Sequence, residues 1–125
     1  MLFDTSAWIE YFQGTQSGRK VRQFLTVGEN FTSIASFAEV INWCFRSGLR
    51  NKSDSYINGM KKGSEVLELD EKTITLAGRL NYERKKVVKN WGMMDSFILA
   101  TSLIYDLRML TKDLQFKDLQ NVEIL

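Results

Sequence analysis

The sequence contains no histidine. That absence removes the Ser-His-Asp and Cys-His arrangements of nucleophilic catalysis and every histidine-ligated zinc site. Any chemistry must therefore run on carboxylates, hydroxyls, lysine or a bound metal. Only one cysteine is present, so no internal disulfide can form. Cys44 sits among Val40, Ile41, Trp43 and Phe45, the setting of a small apolar filler in a helix rather than a reactive thiol. Proline is also missing, which suits a continuous domain without linkers or low-complexity tracts. No apolar run approaches the ~18 residues of a membrane span, and the N-terminal segment carries Asp4 where a leader would be basic and then apolar. These features give the expectation of a cytoplasmic protein with no membrane attachment. Charge of one sign is not in excess either: 17 basic against 15 acidic residues leave +2, so total charge does not announce a nucleic-acid partner.

What is present is an alternation of short apolar runs with longer periodic ones. Residues 1–125 are expected to form one domain, because 125 residues at 44% hydrophobic content suffice for one core but not two. Leu2-Phe3 reads as a buried strand, with Asp4 at its carboxyl end and a helix through Trp8, Ile9 and Phe12 stopped at Gly14. A second helix runs from near Ser17 to near Gly28, and Phe31 to Ile34 forms a second strand. The next helix begins near Ser36, with Phe37, Val40, Ile41, Cys44 and Phe45 as its core face. A polar helix over 51–62, a strand over 66–69 and a long helix over 71–89 follow, the last capped by Asp70 and carrying Ile74, Ala77, Leu80 and Tyr82. Asp95 opens an apolar helix, Arg108 to Thr111 reads as a buried strand ending before Asp113, and Val122 to Leu125 is the last strand. The pattern predicts an α/β fold: a three-layer sandwich with a central, mainly parallel sheet of about four or five strands flanked by helices.

In such folds the functional crevice lies beyond the carboxyl ends of the strands. Asp4, Glu39, Asp95 and Asp113 all map to that edge. Taken singly, each has an ordinary explanation: Asp4 and Asp95 as helix caps, Asp113 as a turn residue, and Glu39 as the partner of Ser36 in a capping box. Taken together, four converging carboxylates would repel one another unless a cation neutralised them. A histidine-free oxygen donor set selects Mg²⁺ or Mn²⁺, and the natural reaction is phosphodiester hydrolysis. By contrast, Glu65, Glu68, Asp70 and Glu71 read as a solvated face.

Four segments carry a family resemblance. Met1-Leu2-Phe3-Asp4-Thr5-Ser6-Ala7-Trp8-Ile9, Thr32-Ser33-Ile34-Ala35-Ser36-Phe37-Ala38-Glu39-Val40, Met94-Asp95-Ser96-Phe97-Ile98-Leu99-Ala100-Thr101-Ser102 and Leu110-Thr111-Lys112-Asp113-Leu114-Gln115-Phe116 resemble the successive motifs of PIN-domain nucleases, particularly VapC-type toxins of toxin–antitoxin pairs. The resemblance implies catalytic positions at Asp4, Glu39, Asp95 and Asp113, with metal held by Asp4, Asp95 and Asp113, and supporting hydroxyls at Ser6 and Thr111. It also implies an RNA substrate, a homodimer and a cognate antitoxin. One departure is Gln115, which stands where many relatives carry a further acid, so a second metal position is weakened. For RNA contact the candidates are Arg84, Lys85, Lys86 and Lys89, with Trp91 as a stacking platform. A different class of function remains open, a catalytically weak module that binds RNA or protein. A phosphatase is disfavoured because Asp4-Thr5-Ser6 lacks a second acid two residues after the aspartate.

Overall fold

In the computed structural model, which describes residues 1–125, five short strands form one sheet with every neighbouring pair parallel. They are β1 (Leu2–Phe3), β2 (Phe31–Ser33), β3 (Glu65–Leu67), β4 (Met109–Thr111) and β5 (Val122–Ile124), in the spatial order β3-β2-β1-β4-β5. Parallel neighbours require crossovers. These are supplied by six helices, α1 (Thr5–Gln13), α2 (Gln16–Leu25), α3 (Ala35–Arg46), α4 (Ser53–Gly63), α5 (Glu71–Lys85) and α6 (Met93–Ile104). The expected three-layer architecture is therefore realised. No helix is long and apolar enough to cross a membrane.

The strand period of two sorts the apolar residues into two cores. Phe3 and Leu110 join Trp8, Val21, Val40, Trp43, Cys44 and Met60 on one side, whereas Leu2 and Met109 join Leu67, Trp91, Ile98, Leu99 and Phe116 on the other. On the first side, Trp8 meets Phe3 edge-on at 5.3 Å between ring centroids, and Phe12 stacks on Tyr56 at 4.2 Å. Such pairs add about 0.5–1.5 kcal/mol each beyond the area they bury. The indole of Trp8 also donates to Thr32 Oγ1 at 3.0 Å, satisfying a polar atom that burial would otherwise penalise.

Chain reversals follow local chemistry. Gly14 closes α1 in the left-handed conformation at φ 66°, which glycine adopts without a Cβ clash. Asp70 caps α5, its carboxylate accepting from the Thr73 amide at 2.9 Å, as its position suggested. Gly18 in α2 faces α1 so closely that an added Cβ would stand 2.0 Å from the Glu10 carbonyl oxygen. Because the obstruction is backbone, Gly18→Ala is expected to destabilise the fold by about 2–3 kcal/mol, read as a lowered urea midpoint at an unchanged slope. An unaltered midpoint would show that α1 and α2 separate freely.

Two helices are rotated from the expected orientation. In α3 the buried residues are Ala35, Ser36, Val40, Trp43 and Cys44, whereas Ile41 and Phe45 are 39% and 49% exposed. Trp43, the larger anchor, turns inward and carries the flanking apolar residues toward solvent. In α5, which ends at Lys85 rather than Lys89, the buried positions are Thr73, Ala77 and Arg84, while Ile74 and Tyr82 are exposed. Small Thr73 and Ala77 lie on the buried side of a helix that packs along α6, and the bulkier residues point outward.

Candidate active site

Chain order and strand order reverse between β1 and β4, which are sequence-distant yet hydrogen-bonded neighbours. A crevice opens at such a switch point beyond the strand ends. Asp4 leaves β1 there, and its amide donates to the Leu110 carbonyl at 2.9 Å. The backbone of Asp4 occupies the N-cap position of α1, but its carboxylate makes no capping bond. Instead Oδ2 accepts from Thr111 Oγ1 at 2.6 Å and from Ser6 Oγ at 2.8 Å. Thr111 ends β4 and is fully buried, and its Oγ1 lies 3.0 Å from Ser6 Oγ. The helix-cap explanation of Asp4 thus fails in favour of a carboxylate held by two hydroxyls, one from the first turn of α1 and one from the end of β4.

The turn after β4 is wound around the same groups. The Lys112 amide donates to Ser6 Oγ and the Asp113 amide to Thr111 Oγ1, each at 2.9 Å. Asp113 Oδ1 then accepts from the Gln115 amide at 2.9 Å, opening a short 3-10 turn over Leu114–Phe116. Lys112, between two of the site residues, turns outward to an ion pair with Glu10 of α1 at 2.7 Å.

Glu39 and Asp95 enter from the helices. Glu39 stands in the second turn of α3, and Ser36 does not pair with it as the expected capping box. Its Oε1 accepts from Thr5 Oγ1 at 2.6 Å, and the same Thr5 oxygen lies 3.0 Å from Ser36 Oγ. Asp95 is the third residue of α6 rather than its cap: Gly92 holds the cap position, and its amide donates to Asp95 Oδ2 at 2.9 Å. Thr5 was missed by sequence reasoning although it lies between Asp4 and Ser6. Only the fold shows that its side chain serves Glu39, 34 residues away.

Electrostatics bind the four acids into one group. Asp4 is only 5% exposed, and burial pushes its carboxyl above the ordinary range against the opposing hydroxyl bonds from Thr111 and Ser6. Burial is also the leading cause of the upward shifts of Glu39 and Asp95. Glu39 is pushed further by the charges of Asp4, Asp95 and Asp113, and Asp95 by those of Asp4 and Asp113. No trio of acidic or thiol side chains is arranged to hold a metal ion among its members. In donor chemistry, though, the four acids offer hard carboxylate oxygens of the kind a divalent cation prefers, and their mutual repulsion is what such an ion would relieve.

The expected RNA contacts divide. Lys85, Lys86 and Lys89 are exposed at the end of α5 and just beyond it. Arg84 and Trp91 are not available: they are 7% and 3% exposed. The guanidinium of Arg84 forks onto Asp118 at 2.7 and 3.0 Å, and the Trp91 indole donates to Ser96 Oγ at 2.7 Å. Both are structural residues of the interior, because long-range partners engage both terminal nitrogens of Arg84 and the indole N–H of Trp91, the Arg84 Nε alone staying buried without a partner.

This parallel sheet with its acidic switch point is a PIN domain. The PIN domain family profile matches residues 1–122, and the chain belongs to that family. Its fold matches solved VapC-type toxins. The VapBC complex of Salmonella typhimurium bound to DNA aligns with a TM-score of 0.76 at 20% identity, covering 99% of this chain and 95% of that one. The VapBC2 complex of Rickettsia felis, bound to a promoter DNA fragment, gives 0.76 at 14% identity over 99% and 96%. VapC20 of Mycobacterium tuberculosis, a Sarcin-Ricin loop cleaving toxin, gives 0.75 at 11% identity over 95% and 94%. No curated protein matches the chain in sequence.

Proposed function

We propose that this PIN domain is a metal-dependent endoribonuclease, the toxin of a type II toxin–antitoxin pair. The observation that carries the reading is Asp4, a buried carboxylate held by Ser6 and Thr111 at the switch point and within electrostatic reach of Glu39, Asp95 and Asp113. Burying a carboxylate beside other acids costs stability, a cost that a bound divalent cation would offset.

In this reading Asp4, Asp95 and Asp113 hold Mg²⁺ or Mn²⁺. The chemistry such an ion would supply is a lowered pKa of a coordinated water and polarisation of a phosphoryl oxygen. Ser6 and Thr111 fix the Asp4 carboxylate, and Thr5 fixes Glu39. Glu39, held by Thr5 and with its proton affinity raised by burial, is the proposed base that would take a proton from the attacking water. Lys85, Lys86 and Lys89 contribute salt-dependent attraction for the phosphate backbone. A cognate antitoxin and a second copy of the chain are the proposed protein partners, in keeping with the toxin–antitoxin complexes among the matched structures, and the cytoplasm is the proposed place of action.

The test is direct: purified protein is incubated with single-stranded RNA and Mn²⁺, with and without a chelator. Cleavage that the chelator stops and Asp95→Asn abolishes is the expected result. Binding of RNA without any cleavage would instead favour the second reading, a catalytically weak binding module, which the lack of three acids arranged to hold a metal supports.

A further inference from the structure

Arg84 and Trp91, excluded from the surface, connect the two elements that bring the last two acids to the site. The chain between Asp95 and Asp113 is long, and nothing local fixes one against the other. The guanidinium of Arg84 reaches the Asp113 turn on one side, where Nη2 donates to the Gln115 carbonyl at 2.8 Å and the fork onto Asp118 closes the same segment. On the other side its Cζ lies 4.4 Å from the centre of the Trp91 ring. Trp91 is itself pinned to α6 through Ser96 Oγ, which in turn donates to Asn81 Oδ1 of α5 at 3.1 Å, and it packs edge-on against Phe116 at 4.8 Å.

Each acid is oriented by an amide adjoining this assembly. Gly92, the residue after Trp91, gives its amide to Asp95, and Gln115, whose carbonyl Arg84 holds, gives its amide to Asp113. We propose that Arg84, acting through Trp91, is a positioning residue that sets the distance between the Asp95 and Asp113 carboxylates. The proposal rests on the nuclease reading for its catalytic consequence, but its structural claim stands apart from it. Partners outside the ligand set commonly orient the ligands in this way, and a planar fork stacked on an aromatic ring is a role that lysine cannot fill.

The experiment compares Arg84→Met, Arg84→Lys and Asp118→Ala with the parent protein, and reads two quantities. The first is hydrogen exchange at the Gly92 and Gln115 amides, followed by NMR. Both are expected to accelerate together in Arg84→Met and Arg84→Lys, and in the same direction but less in Asp118→Ala, a variant altered only at an exposed position. Acceleration at Gln115 with Gly92 unchanged would overturn the proposal, because it would mean that Arg84 serves one turn only. The second is RNA cleavage, where kcat is expected to fall about 10- to 100-fold with KM and its salt dependence unchanged. A raised KM with a flatter salt dependence would overturn it by placing Arg84 on the RNA. If the parent protein itself fails to cut RNA, the nuclease reading falls and the exchange result alone decides the coupling.

Discussion

Asp4→Asn is expected to lower RNA cleavage by about 10²–10⁴-fold while raising the thermal stability of the metal-free protein. The two effects share one cause. The carboxylate is 5% exposed and its charged form is disfavoured by burial and by Asp113. Asparagine has the same shape and keeps an oxygen to accept from Thr111 or Ser6, but it carries no charge to desolvate. A gain of about 1–2 kcal/mol is typical where a functional site is relieved of such a conflict. Cleavage assays and thermal melts on the same preparation check both halves. A variant that loses activity and stability together would mark Asp4 as a structural residue, and one that cuts RNA within tenfold of the parent would remove it from the site.

How much of this was legible before the fold depended on the range of the interaction. Strand and helix order was readable because it is written locally, in two-residue alternation, in the Asp70 cap and in glycines such as Gly14. The expectation that Asp4, Glu39, Asp95 and Asp113 share one edge rests on order alone, since every parallel strand delivers its carboxyl end to the same side, and the structure adds that the charges of these acids reach one another. What order could not show was which hydroxyl serves which acid. Thr111 reaches Asp4 across 107 residues, and Thr5 takes Glu39 away from the capping box that Ser36 suggested. The same limit explains Arg84 and Trp91. A cation and an aromatic near a basic run look like RNA contacts, and only Asp118, Ser96 and Phe116, brought in by the fold, make them interior. The rotations of α3 and α5 have a packing origin as well: period selects a stripe, but the size of Trp43 and the smallness of Thr73 and Ala77 decide which stripe is buried.

The acid group also dictates how stability depends on pH and metal. Asp4, Glu39 and Asp95 have folded-state proton affinities above those of the unfolded chain. Between the ordinary and the raised values the folded protein therefore holds more protons, and stability falls as pH rises through that window. Asp118, whose carboxyl is held low by Arg84, acts in the opposite sense, its stabilisation being lost as pH falls; with its carboxylate largely in solvent, that contribution is small. Glu10 and Asp70, also held low, act in the same sense as Asp118. The metal-free protein is therefore expected to be more stable at the lower end of the window set by the three raised acids than above it only as far as these burial effects outweigh the exposed ones. A divalent cation reverses the order, because it binds the charged carboxylates of the folded chain and competes with protons for them. At a Mn²⁺ concentration of about 100 Kd the gain is about 2.7 kcal/mol, on the order of 10 °C in Tm for a domain of this size. That shift should be larger at the higher pH and absent from the double variant Asp4→Asn, Asp95→Asn, which also flattens the metal-free pH slope. A Mn²⁺ shift that persists in the double variant would place the ion elsewhere, and one that is equal at both pH values would separate metal binding from the titration of these acids.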